Sequence, residues 1–383
     1  MAQVQGTCHP AFSPLIALFE EHLASGEELG ADICVNINGE TVVELWGGYA
    51  DNARTKPWTR GTITPVWSVT KIVTALAALT LVDRGQLDPY AKVAQYWPEF
   101  AAHGKQDIEV RHVLSHTAGL PAWDPPLSRE EYYNTPLATQ KLIQQQPWWT
   151  PGSASGYHLS TQGFLLGELV RRVSGKSLTQ FIADELAAPL GADFQLGVAE
   201  KDWPRTADIV PPPAAPFPAL DPQSIAMRAF RGTPADATAS MTPEFRRAEQ
   251  GASGGFGNAR AINKIASMVT LGGSVNGKRF LSPQTIDLIF QEQVSGVDLV
   301  LGSFLRFGIG MGLPTPENKA LEWMPQGKVC FWGGWGGSIA IMDLDRKVTV
   351  TYTLNKMGAG TLGNPRTEKY VRAVYAALDA YKP

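Results

Sequence analysis

The stretch Val66-Trp67-Ser68-Val69-Thr70-Lys71 decides how the rest of the chain is read. A serine is followed three residues later by a lysine, at the head of an apolar run from Ile72 to Val82. Helical spacing puts positions i and i+3 on one face, so Lys71 sits one turn above Ser68 and reaches its hydroxyl. Serine is a weak nucleophile at neutral pH and needs a base. A desolvated lysine loses its proton readily and serves as one. A serine at a first helical turn also lies near the positive end of the helix dipole, which favours an oxyanion there. Ser-x-x-Lys arises by chance roughly once or twice in a chain of this length. This is its single occurrence here. The run that follows is apolar nearly all round, as a buried helix is, and predicts that Lys71 is buried with it.

Composition bounds the alternatives. With 383 residues, 44% hydrophobic and 18% charged, the chain is long enough for one large domain or two lobes. A net charge of −3 gives no electrostatic reason to expect nucleic acid. Cys8, Cys34 and Cys330 are odd in number and far apart, so neither a disulfide framework nor a metal site is expected. Neither metal nor cofactor is expected. The first residues lack a secretory signal, and no run approaches a membrane span, so a cytoplasmic location is expected.

Upstream of Ser68, residues Ser13 to Leu23 carry a helical apolar face closed by Gly26. Ile33–Asn36 and Thr41–Trp46 flank Asn38-Gly39, the strongest short hairpin signal. Downstream, the Ser68 helix ends at Asp83-Arg84-Gly85. Residues 90 to 177 read as helices with many breaks, among them Ile108–Ser115 and Gln162–Ser174, the latter capped by Ser160 or Thr161. Leu178–Leu190 reads as another helix, and 203–223 as a proline-rich loop. Ala259–Leu271 is helical. Phe307–Leu313 alternates with glycine, and Gln326–Phe331 is a short strand. Ser338–Asp343 and Val348–Leu354 form a second hairpin, and Arg366–Tyr381 a closing helix. The expectation is an α+β fold: an antiparallel sheet built from both ends, flanked by N- and C-terminal helices, with a mostly helical lobe inserted. The sheet lobe would comprise about 1–84 plus 252–383, the helical lobe about 85–251, and the site would lie between them.

Two further stretches join the first. Gly156-Tyr157-His158-Leu159-Ser160-Thr161-Gln162-Gly163 follows Pro151-Gly152, and Phe331-Trp332-Gly333-Gly334-Trp335-Gly336-Gly337-Ser338 precedes the last hairpin. In order and spacing these motifs make the chain resemble the serine β-lactamase-like superfamily of class C β-lactamases, penicillin-binding proteins, family VIII carboxylesterases and lovastatin-type acyltransferases. Val113 to Leu120 and Gly254-Gly255-Phe256-Gly257 extend the resemblance over most of the chain.

The resemblance implies that Ser68 is the acylated nucleophile, Lys71 its lysine partner and Tyr157 the proton-shuttling tyrosine. It implies that Trp332-Gly333-Gly334 replaces the Lys-Thr-Gly strand, and that the backbone N–H groups of Ser68 and Trp335 form the oxyanion hole. A lysine ammonium beside Tyr157 would draw its phenol down toward a phenolate. Which of the pair holds the proton stays open. His158 reads as structural. Two departures bear on substrate. Leu159 stands where β-lactamases have asparagine, and Trp332 where they have the lysine that holds a substrate carboxylate; family VIII esterases also replace that lysine with tryptophan or histidine. Trp332 would supply an apolar wall in place of that cation, with Gly333, Gly334 and Leu159 beside the substrate, and Trp123, Trp148, Trp149, Trp323 and Phe256 are further candidate pocket walls. The expected activity is hydrolysis of uncharged, hydrophobic esters, with acyl transfer to an alcohol as the alternative and β-lactamase or D-Ala-D-Ala peptidase activity disfavoured. The expected partner is a small-molecule ester, and sequence leaves the oligomeric state open.

Overall fold

The computed structural model describes residues 3–214 and 221–382. Its frame is a nine-stranded antiparallel sheet with the order Gln5–Cys8, Glu40–Gly48, Gly30–Ile37, Val348–Leu354, Ile339–Asp343, Val329–Gly333, Gly312–Leu313, Phe304–Phe307, Val294–Val297. None of these strands comes from residues 49–293. The first hairpin turns at Asn38 and Gly39, with φ of 50° and 94°, the left-handed pair that a tight two-residue turn requires. The last turns at Leu344 to Lys347, where Lys347 has φ 54°.

The strand Val348–Leu354 shows how both faces are covered. Val348, Val350, Tyr352 and Leu354 pack toward the terminal helices Pro14–Ser25 and Pro365–Leu378, with Phe19, Tyr370 and Val374. Thr349 and Thr351 point the other way, toward the helix Ala259–Thr270. There Asn263 Nδ2 donates to Thr349 O at 3.0 Å, and Thr351 Oγ1 donates to Ala259 O at 2.7 Å. A period of two thus divides one strand between an apolar and a hydrogen-bonded interface.

The helix Thr70–Asp83 is buried from Thr70 through Leu81, as its unpatterned apolar sequence demands. It packs against the helices Thr161–Ser174 and Leu178–Ile182. A small sheet of Thr64–Pro65, Gly255–Gly257 and Gln195–Leu196 ties its leading end to the rest of the chain.

Several local expectations need correction. The helix at 178–190 runs without a gap, but it widens into a π turn over Ala183–Ala187 between Leu178–Ile182 and Ala188–Leu190. Ser160 stands at the N-cap of the helix Thr161–Ser174 but makes no side-chain cap, and its Oγ accepts from Tyr132 Oη at 2.8 Å. The glycine-alternating stretch Phe307–Leu313 is two short strand ends around a turn at Gly310. Of the proline-rich loop, residues 215–220 lie outside the described residues.

Candidate active site

Ser68 lies in a tight 3-10 turn, Trp67–Val69, immediately before the buried helix. The turn is held on both sides. Val66 N–H donates to Gly255 O at 2.9 Å, and Ser338 Oγ donates to Val66 O at 3.1 Å. Trp67 takes the left-handed φ of 50°, an uncommon and costly conformation for a bulky residue. Its ring is fixed by Trp335 and Phe245, with centroids 5.3 and 5.9 Å away. Gly334 is required here: a Cβ would lie 2.2 Å from Ser338 Oγ and 2.4 Å from Val66 O. Its bareness lets the segment carrying Trp335 close on the serine turn. Among the described residues, the backbone N–H groups of Ser68 and Trp335 make none of the turn and loop backbone hydrogen bonds.

Lys71 is 3% exposed, as the apolar run required. Its Nζ lies 3.2 Å from Ser68 Oγ, 2.8 Å from Leu159 O and 3.1 Å from Ala252 O. Burial holds its pKa well below the ordinary lysine value. A neutral amine has two hydrogens and one lone pair. The two carbonyls occupy the hydrogens, which leaves the lone pair for the serine hydroxyl.

Tyr157 is buried, with its ring 4.7 Å from Lys71 Nζ. Its phenolic oxygen is hydrogen-bonded by Ser68 and by Trp332 Nε1, the latter at 2.9 Å. The sequence reading let Lys71 draw this phenol down to a phenolate. Burial acts the other way and raises its pKa above the ordinary value, outweighing both hydrogen bonds. Lysine pushed down and tyrosine pushed up means that both groups favour their neutral forms. Asp298, buried, fixes the Tyr157 backbone: its Oδ1 accepts the N–H groups of Tyr157, Val300 and Leu301, each at 2.9 Å. His158 faces away from the serine. Its Nδ1 bonds Gly156 O at 2.7 Å and its Nε2 accepts from Leu120 N–H at 3.2 Å, while burial lowers its pKa to about 3. His116 is likewise held well below the ordinary histidine value by burial.

Ser68, Tyr157, Leu159 and Trp335 border a cavity of about 600 Å³. Its other large walls are Trp67, Tyr132, Tyr133, Phe230 and Phe245, none of which the sequence reading singled out as a wall. Several of the expected walls lie elsewhere. Trp123 is in the core, its indole donating to Ala138 O at 2.9 Å and its ring edge-on to Tyr132 and Phe164. Trp148 lies under the Arg228 guanidinium, 4.2 Å away, and Trp149 donates to Ala154 O at 3.0 Å. Trp323 packs on the terminal-helix side of the sheet. Phe256 stands behind Phe245, centroid to centroid 6.1 Å. Gly333 is covered by Thr361 O, 2.7 Å from where its Cβ would be.

Trp332 requires the main correction. Strand parity sends Val329 and Phe331 to the terminal-helix side and Cys330 and Trp332 to the opposite face. There Trp332 is 4% exposed among Phe307, His116 and Tyr157, so it is a buried hydrogen-bond donor to the tyrosine rather than a wall. Among the described residues no cluster of His, Cys, Asp or Glu could hold a metal ion, and no helix is long and apolar enough to cross a membrane.

The Beta-lactamase family model matches residues 15–374. The chain is 32% identical to the esterase/beta-lactamase LipL of Mycobacterium tuberculosis (strain ATCC 25618 / H37Rv) over 297 residues, 74% of this chain and 68% of LipL. Among solved structures it is similar to a family VIII carboxylesterase, with TM-score 0.91 and 32% identity over 98% of this chain and 100% of the other. A penicillin-binding protein homologue from Caulobacter crescentus superposes with TM-score 0.91 at 34% identity, over 98% of this chain and 100% of that one.

Proposed function

Because the chain belongs to the β-lactamase family, we propose that it is a serine hydrolase that cleaves uncharged carboxylic esters through an acyl-enzyme on Ser68. The observation that carries this reading is the placement of Ser68 Oγ, 3.2 Å from Lys71 Nζ and hydrogen-bonded to Tyr157, at the border of the apolar cavity. Neutral Lys71 takes the Ser68 proton as Oγ adds to the ester carbonyl. The oxyanion forms between the backbone N–H groups of Ser68 and Trp335. On collapse, the proton passes through the Tyr157 hydroxyl to the departing alkoxide. Water then attacks the acyl-enzyme, gives its proton to the same lysine–tyrosine pair, and Ser68 is restored.

The substrate class follows from what two motif positions do not supply. Leu159 offers no side-chain amide, and Trp332 offers no cation where the similar β-lactamases have lysine. A substrate carboxylate left there without a partner costs several kcal/mol, about a thousandfold in rate. A neutral ester incurs no such penalty. The name of the family VIII carboxylesterase points the same way, and that of LipL includes esterase beside beta-lactamase. Acyl transfer to an alcohol shares the first half-reaction, and the size of the cavity, with room for a bulky alcohol beside the acyl group, favours it as the second reading. Three free cysteines, two of them buried, support a cytoplasmic location.

The test is kcat/KM for a panel of p-nitrophenyl esters and a chromogenic cephalosporin, with and without added alcohols. Esters should turn over clearly and the cephalosporin weakly or not at all. A fluorophosphonate should add one mass adduct, lost in Ser68→Ala. A cephalosporin that matches the best ester overturns the ester reading, and labelling undiminished in the variant removes Ser68 as nucleophile.

A further inference from the structure

We propose that the Ser68 cavity selects esters carrying a neutral group that both donates and accepts hydrogen bonds, a hydroxyl or an amide, and that Gln250 is the residue that reads it. The inference rests on the ester-hydrolase reading and narrows it.

The cavity walls are mostly aromatic and aliphatic, yet Gln250 borders them while only 1% exposed. Neither its Nε2 nor its Oε1 has a hydrogen-bond partner among the described residues. Two more groups on the same lining share this condition: Thr233 Oγ1 and Trp67 Nε1 are buried and unpaired. Buried polar groups are as a rule paired, because leaving a donor or acceptor unmade is costly. This chain follows the rule at its other buried glutamines. Gln145 donates to Ala122 O at 2.8 Å and accepts from Asp124 N–H at 3.0 Å. Gln162 donates to Val113 O and Leu114 O, each at 3.2 Å. Unpaired polar atoms on one cavity lining mark the place where an incoming molecule supplies the partners.

The backbone holds Gln250 at this place. Its carbonyl accepts Ser253 N–H at 3.2 Å and Gly254 N–H at 2.8 Å, closing a turn. The same turn presents Ala252 O to Lys71 Nζ at 3.1 Å. One element therefore positions both the lysine and the unpaired amide.

The inventory of free atoms defines the chemistry. Gln250 Nε2, Trp67 Nε1 and the Thr233 hydroxyl are donors, while Gln250 Oε1 and Thr233 Oγ1 are acceptors. A plain hydrocarbon chain satisfies none of them. A charged group finds no free counter-charge, since the charged residues bordering the cavity, Arg129 and Asp236, are paired with each other at 2.8 Å. A neutral hydroxyl or amide fits both conditions.

The experiment compares matched esters. In the acyl arm, a p-nitrophenyl alkanoate is set against its hydroxy and amido counterparts of equal length. In the alcohol arm, acetates of an alkanol, a hydroxyalkanol and an amidoalkanol are compared. Each kcat/KM is divided by the uncatalysed hydrolysis rate of the same ester, and the readout is the polar-to-apolar ratio. In at least one arm the ratio should exceed one in the wild type and fall tenfold or more in Gln250→Leu and Gln250→Met. A wild-type ratio at or below one in both arms overturns the proposal without recourse to any variant. So does a ratio that stays within twofold of the wild type in a folded variant. Absence of turnover for every ester, with no fluorophosphonate adduct, is a separate result that removes the ester-hydrolase reading and this one with it.

Discussion

The indole N–H of Trp332 is hydrogen-bonded to the phenolic oxygen of Tyr157 across 2.9 Å. That oxygen is also hydrogen-bonded to Ser68. In the proposed mechanism Trp332 would therefore act through the tyrosine and not through contact with substrate. Trp332→Phe keeps a flat ring among Phe307 and His116 but leaves the phenol without its donor. A hydrogen bond that strengthens as charge develops is worth about 1.5–3 kcal/mol, so kcat should fall by about 10- to 100-fold. KM should change little, because Trp332 does not border the cavity. Steady-state kinetics on one p-nitrophenyl ester decides it. A rise in KM at constant kcat would return Trp332 to the role of a wall. Trp332→Lys should cost more, in activity and in thermal midpoint, because it buries an ammonium among aromatic rings.

Lys71 and Tyr157 meet at Ser68 and should behave as one proton-transfer unit. Lys71→Met and Tyr157→Phe should each lower kcat by several orders of magnitude, and the double variant should lose little beyond either alone. Single-turnover rates of acylation for the three variants provide the check. Losses that multiply would mean two independent contributions.

What could be read from the sequence was local. Ser68 and Lys71 are three residues apart, and the apolar run behind them required burial. Asn38-Gly39 fixed a hairpin because its two left-handed residues are a property of the dipeptide itself. The short strands Val294–Val297 and Phe304–Phe307 carried too little alternation to be seen. Trp332 was misread because its direction depends on parity within Val329–Gly333 and on its pairing with Ala340. Trp123 and Trp323 were taken for walls because a tryptophan near a motif looks the same in sequence whether it faces a pocket or a core. Gln250 escaped notice for a deeper reason. Its distinction is the lack of a partner, which exists only once every neighbour is in place.

Asp32 gives a stability prediction with a definite sign. It is buried beneath the helix Ala259–Thr270, where its Oδ2 accepts Ala259 N–H at 2.9 Å and its Oδ1 is hydrogen-bonded by Thr353. Burial raises its carboxyl to about 7 despite these bonds. In the unfolded chain an aspartate titrates near 4. Between these values the folded state binds more protons than the unfolded state, so stability falls as pH rises through the window. Asp32→Asn keeps a carbonyl oxygen for Ala259 and removes the titration. The difference in thermal midpoint, variant minus wild type, should grow from pH 4 to pH 8 and then level off. A difference that does not depend on pH would show that Asp32 does not titrate in this range.

The pH dependence of turnover should report Lys71. The base form of lysine is the neutral amine, so kcat/KM should rise with pH as Lys71 loses its proton. Burial moves that limb below the ordinary lysine range. The neighbouring histidines do not supply it. His158 titrates at about 3, and burial holds His116 well below its usual value, so both stay neutral across the range where the limb is measured. Tyr157 is shifted in the opposite direction and would ionise only above the ordinary tyrosine range. The rising limb should therefore persist in the residual activity of Tyr157→Phe and disappear from that of Lys71→Met. The profiles are measured with one neutral ester, so that substrate ionisation adds nothing. If the limb survives in Lys71→Met and is lost in Tyr157→Phe, the phenol is the base and the two proton-transfer roles must be exchanged.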